Sequence, residues 1–430
     1  MSRALPALVC LLLVVTAGCA GLLGAGGAPD DDRVGYENGY WYDSELNVTT
    51  ADGLNGSERE AVVARTMARV EVIRDVEFTE RVPVRVVTRE QYRANRSDAT
   101  LEPAEAAWRE QVWEAPLLVG EDRTVDEAFD AVYGSSVAGY YSPSRDEIVL
   151  VSDTETPTVD TRTLAHELVH AIQDRQLSFG GGATRDAGLA VRGLTEGDAN
   201  LVEALYDERC ASEWDCLAPP ESGGGGAADF DFGVFLAVYA PYAEGPAFVE
   251  SLRERGGWDA VNDAYDRFPE STEQVIHPER YPDDAPVEVR VRDRSDGEWD
   301  RFDRERVGDT LGEATIYAML WSGGATDGAD PYDYADPASA GWAGDTVVPY
   351  TDGGAGGYVW RVAFDTEADA REFADAYRSV LRGYGAERVA AGTYRIDSGG
   401  FADAFRVVHD GDTVTIVNGP TVADLDGIHG

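Results

Sequence analysis

Only five histidines occur in 430 residues, and two of them, His166 and His170, bracket a glutamate in Ala165-His166-Glu167-Leu168-Val169-His170. On a helix, residues four apart face the same way, so two imidazoles can grip one metal ion while Glu167 stands beside it as a base. This is the donor pattern of a zinc hydrolase. A catalytic zinc keeps three protein ligands and one open position, so a third donor must come from downstream.

Glu196, in Gly193-Leu194-Thr195-Glu196-Gly197-Asp198-Ala199-Asn200, is the best candidate. It opens the next helical pattern, Leu201, Val202 and Leu205, and Asn200 lies one turn further on the same face, where it could support a ligand. Glu203 is the alternative third ligand. Gly197 removes a side chain where two helices would have to approach closely. Further on, Ser271 to Tyr281 offers His277 and Tyr281 to enter a cleft and stabilise an oxyanion opposite the metal.

These elements must be positioned by the chain around them. Leu164, Leu168, Ala171 and Ile172 form an apolar stripe that would bury one face of the histidine helix, with Asp160 as N-cap and Phe179-Gly180-Gly181-Gly182 as its stop. Val137 to Val151 reads as a hairpin turning at Pro-Ser-Arg-Asp. Before it, Ser57-x-x-Glu60 reads as a capping box opening a helix, Val82 to Val87 as a strand, and Gln91 to Val112 as mixed helical sequence. Phe230 to Leu252 predicts one or two helices interrupted near Pro241.

Taken together, the Ala-His-Glu-Leu-Val-His-Ala-Ile-Gln-Asp, Leu-Thr-Glu-Gly-Asp-Ala and Ser-Thr-Glu-Gln-Val-Ile-His-Pro runs resemble zinc metallopeptidases of the gluzincin type, within a group of bacterial and archaeal surface proteins. The resemblance covers roughly residues 57 to 281. It implies zinc on His166, His170 and Glu196, Glu167 as general base, a peptide or protein substrate, and the hairpin as the edge along which a peptide lies. The implied fold is α+β, a zincin-like catalytic domain over residues 36 to 285. The spacing from His170 to Glu196 is longer than in the thermolysin-like archetype. A non-catalytic envelope protein that keeps the metal as a structural staple is the competing reading.

Beyond residue 286 the pattern changes. A helix over Thr310 to Trp321 is followed by strands at Asp345 to Tyr350 and Tyr358 to Phe364, a helix from Glu367 to Leu381, and a hairpin around Asp410-Gly411-Asp412. Residues 286 to 430 thus read as a smaller accessory domain of antiparallel sheet and helix, with no chemical constellation of its own.

The N-terminus reads as a targeting segment. Arg3, an apolar run from Leu5 to Val15 and Thr16-Ala17-Gly18-Cys19 resemble a lipoprotein signal over residues 1 to 19, with Cys19 as the lipidated residue. Thr16 departs from the aliphatic residue usual there. Residues 20 to 35 are a Gly-rich acidic tether, and Asn47, Asn55 and Asn95 head glycosylation sequons. The chain is thus expected on the outer face of a membrane, lipid-anchored or secreted. Cys210 and Cys216 are expected to pair as a disulfide in that oxidising setting.

Composition names the solvent. Eighty acidic residues stand against 36 basic ones, a net charge of -44, and every basic residue is arginine. Molar salt, with a Debye length of about 3 Å, would screen that repulsion, so the chain reads as haloarchaeal. At 43% hydrophobic residues it can build substantial cores, which argues against disorder. No basic patch is present to neutralise phosphates, so nucleic acid is not an expected partner.

Overall fold

The computed structural model describes residues 33–430 apart from 51, 96–100, 134–138, 155, 220–230, 327 and 329. The expected signal with Cys19, most of the tether and the Gly223 to Gly226 loop lie outside the described residues. The architecture is α+β. Its first half is helical around a small sheet, and its second half is built on a large one.

The chain enters through a short hairpin, β1 (Tyr36–Glu37) and β2 (Tyr40–Trp41), that lies on helix α1 (Gly56–Arg74). Asn55 caps α1, accepting from the Ser57 and Glu58 amides, while Glu58 accepts from the Asn55 amide. The capping box is therefore Asn55 with Glu58, not Ser57 with Glu60. Both pairs have the i, i+3 spacing and Asn caps as well as Ser does, so sequence alone does not separate them; the helix starts at Gly56, and Ser57 is already inside it. Asn55 thus spends its side-chain oxygen on the cap, Asn47 is exposed in the loop before it, and Asn95 ends α2 (Arg89–Asn95).

Strand β3 (Val84–Val87) pairs parallel to β5 (Glu147–Val151), and β4 (Gly139–Ser142) pairs antiparallel to β5, giving the order β3-β5-β4 with β4 at an edge. The predicted hairpin is β4 and β5, with the Asp146 backbone left-handed at its turn. Between β3 and β4 run α2, α3 (Pro103–Glu114) and α4 (Val125–Tyr133). Then come α5 (Thr161–Gln176), which carries both histidines, and α6 (Arg185–Ser212). The whole predicted stripe of α5 is buried, packed with Val62, Met67 and Val70 of α1, Tyr141 and Ile148 of the sheet, and Ala199, Val202 and Tyr206 of α6.

Helix α7 (Phe232–Ala243) and helix α8 (Gly245–Asp266) follow, broken at Glu244 just after Pro241 as predicted. Together they are long and apolar enough to cross a membrane, yet 56% of their most apolar window is buried inside the protein. Helix α8 crosses α6 at the glycines. A Cβ on Gly197 would meet Gly245 O at 2.3 Å, and one on Gly245 would meet Gly193 O at 2.5 Å. The last turn of α6 is clipped to the segment beyond it by the Cys210–Cys216 disulfide, Cα atoms 5.5 Å apart.

After the short helix α9 (Thr272–Ile276) come β6 (Asp300–Arg301), α10 (Gly312–Ser322), β7 (Trp342–Thr351), β8 (Gly356–Phe364), α11 (Glu367–Gly383), β9 (Glu387–Ala390), β10 (Thr393–Arg395), β11 (Ala404–Asp410), β12 (Thr413–Gly419) and α12 (Asp424–His429). Seven strands form one antiparallel sheet, β6-β7-β8-β12-β11-β10-β9, with α11 against it. The four predicted strands are its centre, whereas the edge strands β6 and β9 and the three-residue β10 beside β9 are too short for a hydrophobic alternation to announce them.

Packing crosses the expected boundary at residues 285 and 286. Trp108 and Val112 of α3 join the core of the large sheet. Helix α10 turns Ile316, Met319 and Leu320 to that core and Ala314, Tyr317 and Ala318 to α7. Hydrogen bonds tie the junction as well: Arg185 N of α6 donates to Asp309 Oδ1, and Ala314 N of α10 donates to Thr272 Oγ1, whose own hydroxyl donates to the buried Asp186 of α6. On the sheet side, buried Asp345 of β7 accepts from the Leu311 and Gly312 amides and from the indoles of Trp342 and Trp360. Burial nonetheless pushes Asp345 up to about 6 and Asp186 up to about 7.

One buried pair holds the helices around the histidines. Arg74 of α1 donates from Nε to Asp198 Oδ1 at 2.9 Å and from Nη2 to Oδ2 at 3.2 Å, both side chains wholly inaccessible. Tyr265 of α8 donates its hydroxyl to the same carboxylate at 2.8 Å, and Trp258 covers the guanidinium. Removing one partner leaves the other charge buried alone. Asp198→Ala should therefore lower stability by about 3–5 kcal/mol, read from denaturant unfolding in molar salt.

Candidate metal centre

Asp160 caps α5 through its carboxylate on the Arg162 amide, as predicted, and the helix ends before Phe179. Glu196 lies differently from expectation. It sits within the 28-residue α6, which begins at Arg185 behind its Thr184 cap, so the pattern extends well upstream of Leu194. The glycines at 188, 193 and 197 obscure that extension in sequence, since each interrupts the apolar periodicity without ending the helix.

Helices α5 and α6 bring three donors together. His166 Nε2 and His170 Nε2 are 3.1 Å apart, and Glu196 Oε2 lies 3.4 Å from the first and 3.6 Å from the second. Ligands on a tetrahedral zinc at about 2.05 Å are about 3.3 Å from one another. The triangle fits that size without rearrangement. Two imidazoles and one carboxylate are also the borderline-soft donor set that zinc takes.

The nitrogens facing away decide which ones are free to bind. Gln173 donates its Nε2 to Thr195 O at 2.9 Å, so its Oε1 must accept, and His170 Nδ1 lies 2.8 Å from it. The proton of His170 is thereby placed on Nδ1 and the Nε2 lone pair is left for a cation. Glu203 Oε2 lies 3.4 Å from His166 Nδ1, without the alignment of a hydrogen bond, and favours the same tautomer. Glu203 therefore lies outside the donor triangle; it backs His166 from the side away from Glu196. No hydrogen bond from Asn200 to the site is present, and Gln173 performs the supporting role expected of it.

The electrostatics call for positive charge. Burial alone would lower the His166 pKa, but Glu196 and Glu203 outweigh it and raise it to about 10. Burial likewise opposes charge on His170, and Glu196 raises it. Burial works against the Glu196 carboxylate too, yet the two imidazoles hold it well below the usual carboxylate range. A cation at the triangle would take over what these protons supply.

The centre opens into a cleft of about 550 Å³ whose walls include β4, Tyr92, Phe179 and Tyr242. Glu167 lines it beside the histidines, with Oε2 accepting the Tyr141 amide at 2.7 Å. The Tyr141 hydroxyl is engaged by Asp174 and Asp146, and burial together with those bonds pushes its pKa up.

His277 does not reach this cleft. Its Nε2 lies 3.0 Å from Glu313 Oε1 of α10, and the bond to Glu313 raises its pKa. Tyr281 is buried and donates its hydroxyl to Arg267 O. His277 belongs to the junction between α9 and α10, where a short helix following a turn gave no cue to its orientation, and Tyr281 packs edge-on against Phe248 of α8. Among the tyrosines that line the cleft is Tyr242 of α7, read in sequence only as part of an apolar stretch.

Compared with known proteins, residues 300–429 match a family described as a domain of unknown function, DUF8575. The match runs from β6 to α12 and lies outside the histidine helices. No curated protein and no solved structure matches the chain.

Gln173→Ala should remove both the acceptor that orients His170 and the tie to α6. Zinc affinity, measured by competition with a chromophoric chelator, should fall about 10–100-fold while the fold persists.

Proposed function

We propose that this chain is a zinc metallopeptidase of the gluzincin type, with a zincin-like catalytic unit, acting on peptide or protein substrates outside the cell. The observation that carries this reading is the triangle of His166, His170 and Glu196 with Glu167 beside it, at the wall of an open cleft. A purely structural site would be closed by a fourth protein ligand, and the described residues supply three. Zinc held there would supply a Lewis acid that polarises a carbonyl and acidifies a water.

The protein's own groups then have separable tasks. Glu167 has Oε2 occupied by the Tyr141 amide, which leaves Oε1 to take a proton from the attacking water and return it to the leaving amine. Glu203 and Gln173 hold the imidazoles in the binding tautomer. The edge strand β4 offers backbone along which an extended peptide can lie, although the Tyr141 N–H is already committed to Glu167. Tyr242, on the cleft wall, is our candidate for the oxyanion role that sequence suggested for His277. Export through the N-terminal segment and lipidation at Cys19 remain part of the proposal, and the Cys210–Cys216 disulfide is consistent with an oxidising compartment.

The soluble domain in molar salt should carry about one zinc per chain. His166→Ala and Glu196→Ala should lose both metal and cleavage of a peptide mixture. Glu167→Gln should keep the zinc and lose at least about 10²-fold in turnover. Full activity in Glu167→Gln would refute the mechanism, and a metal-free, folded wild type would refute the class.

A further inference from the structure

A second gathering of acids lies across the junction, away from the histidine helices. Glu114 ends α3, Glu121 follows in the loop before α4, and Asp403 immediately precedes β11. Their carboxylate oxygens come within 4.8 Å of one another. The two chain segments are pressed together here: Glu121 N donates to Gly400 O at 2.7 Å, and a Cβ on Gly120 would meet that same oxygen at 2.5 Å.

The partners of these acids are incomplete. Asn418 donates to Asp403 Oδ2 and Gln111 donates to Glu114 Oε2, but Glu114 Oε1 is buried with no hydrogen-bond partner among the described residues. Gln111 Oε1 is in the same position, on a side chain only 8% exposed that lines the adjoining cleft of about 510 Å³ with Glu114 and Glu121. The arginine on that cleft, Arg123, is already bound to Asp231 and Leu118 O. Burial, then Asp403 and Glu121, push the Glu114 carboxyl well above its usual range. Buried acceptors without donors, gathered around like charges, are an arrangement that a cation completes.

We propose that Glu114, Glu121 and Asp403, with Gln111 Oε1 beside them and water from the cleft, form a calcium site that staples α3 and the loop after it to the large sheet. The donors are all oxygen, which selects a hard cation and sets this site apart from the nitrogen-rich histidine centre. Glu121, at the exposed rim, gives the ion a way in. The cleft leaves room for the waters that a six- to eight-fold shell needs.

The test is calorimetric titration of the zinc-loaded protein with calcium chloride in molar potassium chloride, where the counterion atmosphere of so acidic a chain is screened. Wild type should bind one calcium with a Kd on the order of 10⁻⁴ M or tighter. Glu114→Gln and Asp403→Asn should each weaken it at least tenfold, while Glu367→Gln, at an exposed pair with Arg371, should not. Calcium should raise the Tm of wild type and of Glu367→Gln only. Weak, unsaturating uptake that is equal in all four proteins would overturn the proposal. So would a Glu114→Gln variant that is more stable than wild type while calcium changes nothing, since the two buried acids would then simply share a proton.

Discussion

The hydrogen bond from Gln173 to Thr195 O is the constraint on which the histidine centre depends. It ties α5 to α6 one residue before Glu196, and its other end fixes the tautomer of His170. A shift of α6 by one residue would rotate Glu196 by about 100° away from the imidazoles, so register between the two helices is the quantity to be held. Gln173 holds it locally. The Arg74–Asp198 pair holds it from the opposite face of α6, and the close crossing at Gly193, Gly197 and Gly245 sets how near α8 can come. Three unrelated interactions therefore converge on the same two turns of one helix.

Arginine does more in this chain than its surface composition implies. Read as composition, the absence of lysine speaks of solvent; in the structure, several arginines are interior parts. Arg69 donates to Tyr42 O, Tyr206 and Asp215 O while lying over Trp214, and Arg185 and Arg304 lie 3.6 Å over Trp113 and Trp108. A planar guanidinium can stack on a ring and fork its donors in the same position, which a lysine ammonium cannot do. In a chain of net charge -44 these few cations are where the acidic surface and the apolar cores are joined.

What could be read from the sequence was local and periodic. The stripe of α5, its Asp160 cap, the hairpin of β4 and β5 and the central strands of the large sheet all follow from spacings within a dozen residues. Glu196 was legible because it lies in a helix pattern after the histidines, although the start of that helix was hidden by glycines. Gln173 stood inside the quoted motif without a role, because a glutamine's worth here lies in Thr195 O, which no pattern encodes. His277 failed for the converse reason: its chemistry invited a role, but its place is set by Glu313, 36 residues away on another element. The membership of α3 in the sheet's core is equally non-local.

Helix α10 explains why the two halves do not part cleanly. It is apolar on both faces, and a helix without a polar face must be covered all round. The sheet covers Ile316, Met319 and Leu320, but Ala314, Tyr317 and Ala318 are covered by α7, which precedes residue 286. The stretch from 300 to 429 thus holds a sheet with a recognisable family pattern, yet it cannot satisfy its own central helix. Helix α7 also carries Tyr242 into the cleft. The packing that closes the sheet's core therefore positions one wall of the histidine cleft, and a disturbance of α10 would be transmitted there through α7 rather than through the histidine helices.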